Sequence, residues 1–193
     1  PGWALYNSTW DWKAFLDGVF AEMTDRKATG LVVDLRGNEG GLDCGHEIIA
    51  RLIDKDLAVE GYERRVRYRK VSGDLNPYLD TWDDSFRDWG DAVSPLDDRY
   101  FLKENTNAER IPAKGPRFDG KVVVLTNSQN SSATFQFARI VRENRLGTLI
   151  SEPTGGNKRG INGGAFFFMR LPKSGIEVDL PLIGYFPKAP QLN

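Results

Sequence analysis

Gly30-Leu31-Val32-Val33-Asp34-Leu35-Arg36-Gly37-Asn38-Glu39-Gly40-Gly41 is the stretch on which the reading of the fold turns. Its first half is a β-branched run of near-continuous apolar character, which suits a strand covered on both faces. Its second half is a turn. The glycines there open backbone conformations closed to other residues and expose N–H groups to a ligand. A helix is expected next, from about Asp43 to Asp54.

Upstream, Trp12, Phe15, Leu16, Val19, Phe20 and Met23 fall on one stripe of an amphipathic helix between Asp11 and Lys27, with Ser8 or Thr9 as candidate caps. Downstream, Gly120 to Thr126 repeats the buried-strand signature. It leads through a polar turn, Asn127 to Ser131, into a helix from about Ser132 to Asn144 with Phe137, Ile140 and Val141 inward. Gly147 to Ser151 makes a third strand. Strands and helices alternating at this spacing predict an α/β domain with a parallel sheet. Ala165 to Leu171 and Ile176 to Leu180, divided by Pro172-Lys173-Ser174-Gly175, predict a hairpin. Between these parts, Lys55 to Phe118 is rich in Arg, Asp and aromatics and poor in aliphatics, and reads as an insertion or lid. Within it, alternation over Tyr62 to Arg69 predicts a half-exposed strand, and Trp82, Phe86 and Trp89 share a helical stripe.

A chain of 193 residues with 40% hydrophobic and 27% charged residues suits one ordinary globular domain, 1–193, carrying that insertion. Basic and acidic residues balance at 26 and 27, so nucleic acid is not the expected partner. No apolar run reaches the length of a membrane span, and Pro1 to Tyr6 shows no export-signal pattern. With one cysteine, Cys44, and one histidine, His46, neither a disulfide framework nor a zinc cluster is expected. No metal or organic cofactor is called for.

Two strand-to-helix junctions hold the unusual chemistry. The glycine turn ends one strand; Asn130-Ser131-Ser132-Ala133-Thr134 places hydroxyls where the first N–H groups of a helix lack intrahelical partners. Together they read as a serine nucleophile, Ser132, and an oxyanion hole made by the N–H of Ala133 and of a glycine of the Gly40-Gly41 pair.

These motifs resemble those of the C-terminal processing, or tail-specific, serine peptidases and the tricorn-core branch related to them. Asp34 to Gly41 matches the pattern Asp-Leu-Arg-x-Asn-x-Gly-Gly. Phe118 to Asn127 looks like the strand before the nucleophile, Ser132-Ala133-Thr134 stands where Ser-Ala-Ser is expected, and Glu152-Pro153-Thr154-Gly155-Gly156 resembles Glu-Pro-Thr-x-Gly. The resemblance implies a crotonase-like (ClpP/crotonase) sheet of ββα units and hydrolysis of a peptide or protein substrate through an acyl-Ser132 intermediate. It makes Ala133 and Gly41 the oxyanion donors, and it implies a periplasmic or extracellular location.

Departures accompany the match. The lysine of the Ser-Lys members falls at Asn157, with Lys158 one place late, and the Glu three residues after the nucleophile is Phe135. These point to the tricorn-like branch, whose basic His would precede Pro1 and whose orienting Glu would lie close to or beyond Asn193. Lys158 and His46 are the possible bases within the chain. The alternatives are a catalytically incomplete peptide- or ligand-binding domain of the same fold, and a crotonase-type acyl-CoA enzyme. Composition does not fix the oligomeric state.

Overall fold

The computed structural model describes residues 2–105 and 109–189. The fold is mixed α/β, in the order α1 (Trp12–Asp25), β1 (Gly30–Asp34), α2 (Cys44–Ile49), β2 (Leu57–Val59), β3 (Tyr62–Val66), β4 (Leu79–Asp80), β5 (Ser94–Pro95), β6 (Phe101–Asn105), β7 (Glu109–Ile111), β8 (Lys121–Thr126), α3 (Ser132–Glu143), β9 (Thr148–Ser151), β10 (Ile161–Arg170) and β11 (Glu177–Pro187), with short 3-10 turns between some of them. The chain divides into two compact units: Pro1–Val59 with Arg110–Gly156, and Glu60–Glu109 with Asn157–Asn193.

The first unit holds a parallel sheet in the order β1-β8-β9, with Val33 opposite Val124 and Val124 opposite Leu149. Side chains alternate across a strand, so β8 turns Val122, Val124 and Thr126 inward and leaves Lys121 exposed. Leu35, Ile49, Val124, Phe137 and Val141 form the centre of the core. One expectation fails here: β1 is not covered on both faces, since Val32 is 63% exposed. A continuous apolar run does not distinguish a doubly covered strand from one packed on a single face.

Helix ends also differ from expectation. Asp11 caps α1 by accepting from Ala14 N at 2.9 Å, in place of Ser8 or Thr9. Helix α2 is shorter than the pattern implied because Arg51 N and Leu52 N bond to Ile48 and Ile49, tightening the chain into three-residue turns. The last turns of α1 and α3 close alike: Ala28 N reaches Met23 O at 2.8 Å and Leu146 N reaches Val141 O at 2.9 Å, across Lys27 and Arg145 in the left-handed region. Arg51, 3% exposed, joins α1 to α2 by pairing with Asp17 and Glu47 while its guanidinium lies over the Phe20 ring.

The second unit is built on a mixed-length antiparallel sheet ordered β4-β10-β11-β3-β6-β5, with Val66, Trp89, Val93, Ala165 and Ile183 in its core. The C-terminal hairpin is there, longer than its sequence pattern, with an irregularity between Gly163 and Phe166. Strands β3, β4, β5 and β6, all from the segment read as an insertion, share this sheet with the hairpin. The Trp82-Phe86-Trp89 stripe is not an α-helix. Only Asp84–Arg87 winds, as a 3-10 turn; Trp89 is buried and Trp82 stays 59% exposed. Asp83 caps that turn through Ser85 N, and such short-range carboxylate bonds compete with longer helix formation.

Candidate active site

Parallel neighbours end at the same edge of a sheet, so the turns after β1 and β8 are adjacent. Three buried polar side chains join them. Asn130, wholly buried, donates from Nδ2 to the carbonyls of Leu35 and Asn38, and its Oδ1 accepts from Asn127 N at 2.7 Å. Thr134, also wholly buried, donates from Oγ1 between the carbonyls of Asn38, 2.9 Å away, and Ser131, 2.7 Å away. Asn38 Oδ1 accepts from both Gly40 N and Trp3 N at 3.1 Å. Ser131 Oγ adds a bond to Glu39 O at 2.8 Å, and Asn127 Oδ1 accepts from Gly37 N at 3.2 Å.

Asn38, Asn130 and Thr134 were missed by the sequence reading. Their signal was available: Asn beside a strand end can replace backbone partners that a turn would otherwise leave unpaired.

This clamp sets Gly40 against the nucleophile candidate. A Cβ on Gly40 would stand 2.8 Å from Ser132 Cβ, 2.9 Å from Ser131 O and 3.0 Å from Ala133 N, at a φ of +108°. Only glycine fits both the contact and the backbone. Gly41, at φ +132°, faces a different neighbour. A Cβ there would lie 2.3 Å from the Trp3 carbonyl, and Leu42 N bonds Trp3 O at 2.9 Å.

Ser132 opens α3 at a φ of +50°, in the left-handed region that non-glycine residues rarely occupy. Among the described residues, Ser132 Oγ, Ala133 N and Gly41 N make no hydrogen bond, whereas Gly40 N is taken by Asn38. Of the glycine pair, Gly41 therefore keeps its donor available.

The Glu152 to Gly156 element packs on the same edge. Thr126 Oγ1 donates to Glu152 O at 2.7 Å, and Glu152 N to Thr126 O at 3.2 Å. A Cβ on Gly155 would collide with Ser128 O, and one on Gly156 with the Phe135 ring, at 2.1 and 2.0 Å. Phe135, which replaces an expected Glu, thus fills a buried packing position.

The strand end also carries an ion pair. Arg36 donates to both Asp34 oxygens at 2.9 and 2.7 Å, and its own N–H bonds Asp34 Oδ1 at 3.1 Å. These bonds hold the Asp34 carboxyl down at about 2.

Neither of the other base candidates makes a hydrogen bond to Ser132. His46 sits partly buried on α2, within the first unit. Lys158 belongs to the second unit, in a turn where Asn157 Oδ1 accepts from Arg159 N at 2.7 Å. Cys44 is buried, and burial pushes its thiol pKa up, away from a reactive thiolate. Among the described residues, no group of three or more His, Cys, Asp or Glu side chains is placed to hold a metal ion, and no helix is long and apolar enough to cross a membrane.

Solved structures share this fold. The photosystem II D1 C-terminal processing protease aligns at 18% identity with a TM-score of 0.51, over 94% of this chain and 36% of its own. Mature CPAF complexed with lactacystin aligns at 17% identity with a TM-score of 0.52, over 97% and 41%. A candidate peptidase from Parabacteroides merdae aligns at 21% identity with a TM-score of 0.53, over 93% and 46%. The chain spans less than half the length of each. Comparison with curated protein sequences gives no match. The sequence model of peptidase family S41 matches residues 5–185, nearly the whole chain, and the chain belongs to that family.

Proposed function

We propose that residues 1–193 carry the nucleophile and oxyanion donors of a serine peptidase. Ser132 Oγ attacks the scissile carbonyl carbon as its proton passes to a base, and the Ala133 and Gly41 N–H groups stabilise the oxyanion. Collapse of that intermediate breaks the C–N bond, the amine leaves with the proton, and water then hydrolyses the acyl-serine. The single observation that carries this reading is the contact of Gly40 with Ser132 and Ala133, which supports a shared volume for the hydroxyl and the open amides.

Family membership supports peptide or protein as the substrate class. We take Gly40 as the residue that shapes the hole and Gly41 as its donor, because Gly40 N is already bonded. Among the described residues nothing accepts the Ser132 hydroxyl proton, and we assign the base to a residue outside 1–193, as the tricorn-like resemblance implies. The crotonase-like architecture, a substrate-facing lid around 55–118 and a location outside the cytoplasm belong to the same proposal.

The test is fluorophosphonate labelling of a version of the protein extended at both ends. Labelling at Ser132, absent in Ser132→Ala and accompanied by peptide hydrolysis, is the expected result. An extended protein that binds peptide and never labels would instead fit the catalytically incomplete domain.

A further inference from the structure

A cleft of about 990 Å³ opens in the first unit at the edge of the parallel sheet opposite the serine. It is lined by the beginnings of β8 and β9, residues 121–123 and 147–149, whereas Ser132 follows the end of β8. At about 3.3 Å per residue along β8 the two sites are separated by roughly 16 Å. Leu52, Phe118 and Leu146 give the cleft an apolar floor. Its charged rim is Arg117, Asp119, Lys121, Arg142 and Arg145.

The charges do not balance internally. Arg117 takes up the one acid, bonding Asp119 at 3.1 Å. Lys121, Arg142 and Arg145 have exposed side chains that make no ion pair or hydrogen bond among the described residues. A helix C-terminus favours a cation in its last turn, which accounts for Arg142 alone and not for Lys121 on a strand.

The structure assigns this cleft, we infer, to an extended acidic peptide segment that also carries apolar side chains. Three unpaired cations select negative charge, and the floor of Leu52, Phe118 and Leu146 gives apolar side chains a place to bury. Among the described residues strand β9 pairs with β8 alone, so its other backbone edge can pair with an extended chain along the rim. The inference is independent of the peptidase reading, since it uses no group at the serine.

The experiment measures fluorescence anisotropy of a labelled peptide of alternating Glu and Leu with Ser132→Ala protein, so that turnover cannot intervene. Saturable binding that weakens as salt rises is expected, with a Gln/Leu peptide and a Glu/Ser peptide both binding more weakly. Arg142→Gln combined with Arg145→Gly should lower affinity about tenfold, two exposed ion pairs being worth several-fold each. Arg145→Gly relieves its own backbone, so this variant is expected to fold, and its thermal transition is checked in parallel. No saturable binding, undiminished binding by the double variant, or equal affinity for the Glu/Ser peptide would each overturn the assignment. Displacement by inorganic pyrophosphate with no advantage for the peptide would reduce the site to an anion patch and overturn it as well.

Discussion

Gly40 lies against Ser132 so closely that a methyl group at position 40 would stand 2.8 Å from the Ser132 Cβ. Gly40→Ala therefore loses twice, through that contact and through a backbone at φ +108°. Relief requires the turn or the start of α3 to move, by a cost of about 1–3 kcal/mol. The expected outcome is lower stability in urea together with loss of fluorophosphonate reactivity at Ser132 in the extended protein. Unchanged reactivity would separate the glycine turn from the serine's chemistry.

The backbone at Ser132 permits a cleaner stability measurement. Ser132→Ala and Ser132→Gly both delete the hydroxyl, but only glycine relaxes a φ of +50°. Glycine's extra freedom in the unfolded chain works in the opposite direction, and left-handed strain for an L-residue is about 1–2 kcal/mol. Ser132→Gly should therefore match or exceed Ser132→Ala in urea midpoint. A Gly variant less stable by more than about 1 kcal/mol, the ordinary penalty for glycine inside a helix, would show that position 132 carries no strain.

Asn130 joins the turns through a side chain that is fully satisfied and fully buried. Asn130→Leu leaves the Asn127 N–H without its partner and takes one of two donors from each of the Leu35 and Asn38 carbonyls, which keep Asn38 N and Thr134 Oγ1, for a loss of about 1–3 kcal/mol. Asn130→Asp keeps the shape and the acceptor but sets a carboxylate oxygen against two carbonyls, so it should not rescue. In extended protein still folded at low temperature, kcat should fall more than KM if the clamp aligns the oxyanion donors. Equal loss in both variants' stability with kcat intact would leave Asn130 a purely structural residue.

How far the site was legible in sequence follows from the range of its contacts. The strand, turn and helix order around Asp34 to Gly41 and Ser132 is local pattern, and it was readable. The clamp is not local: Asn130 and Thr134 bond residues more than ninety positions away, and a buried Asn looks like any turn Asn until its partners are known. The same limit explains Val32, whose neighbour across the strand is apolar whether or not its own face is covered. Trp82 and Trp89 share a sequence spacing, yet a 3-10 turn sends one to the core and leaves the other exposed.

Acid should reach the first strand end late. The Arg36 clamp depresses the Asp34 carboxyl to about 2, well below the usual carboxylate range. A depressed folded-state pKa contributes stability that is present above the unfolded value and is lost as pH falls through the folded one. The clamp's contribution should accordingly persist at pH 5 and fade between about 4 and 2, and both groups are exposed, so salt should weaken it. An NMR titration of the Asp34 carboxyl carbon reads the midpoint directly, and Arg36→Gln should raise it toward, but not fully to, the ordinary carboxylate range, since the backbone N–H of residue 36 still bonds the carboxylate. A wild-type midpoint near 4 would mean the clamp is not formed in solution.

The 193-residue chain by itself should react slowly. A serine hydroxyl is a weak nucleophile until a positioned base takes its proton, and oxyanion donors alone preserve only a residual part of the rate. Among the described residues the Ser132 hydroxyl has no acceptor, Lys158 and His46 included. Fluorophosphonate labelling of residues 1–193 should therefore be slower than labelling of the version extended at both ends, with Ser132→Ala as the blank for each. The difference should be at least a hundredfold, the usual share of a general base. His46→Ala and Lys158→Ala should leave the slow rate of the short chain unchanged. Fast labelling of the short chain that either substitution abolishes would place the base inside these residues and overturn the tricorn-like assignment.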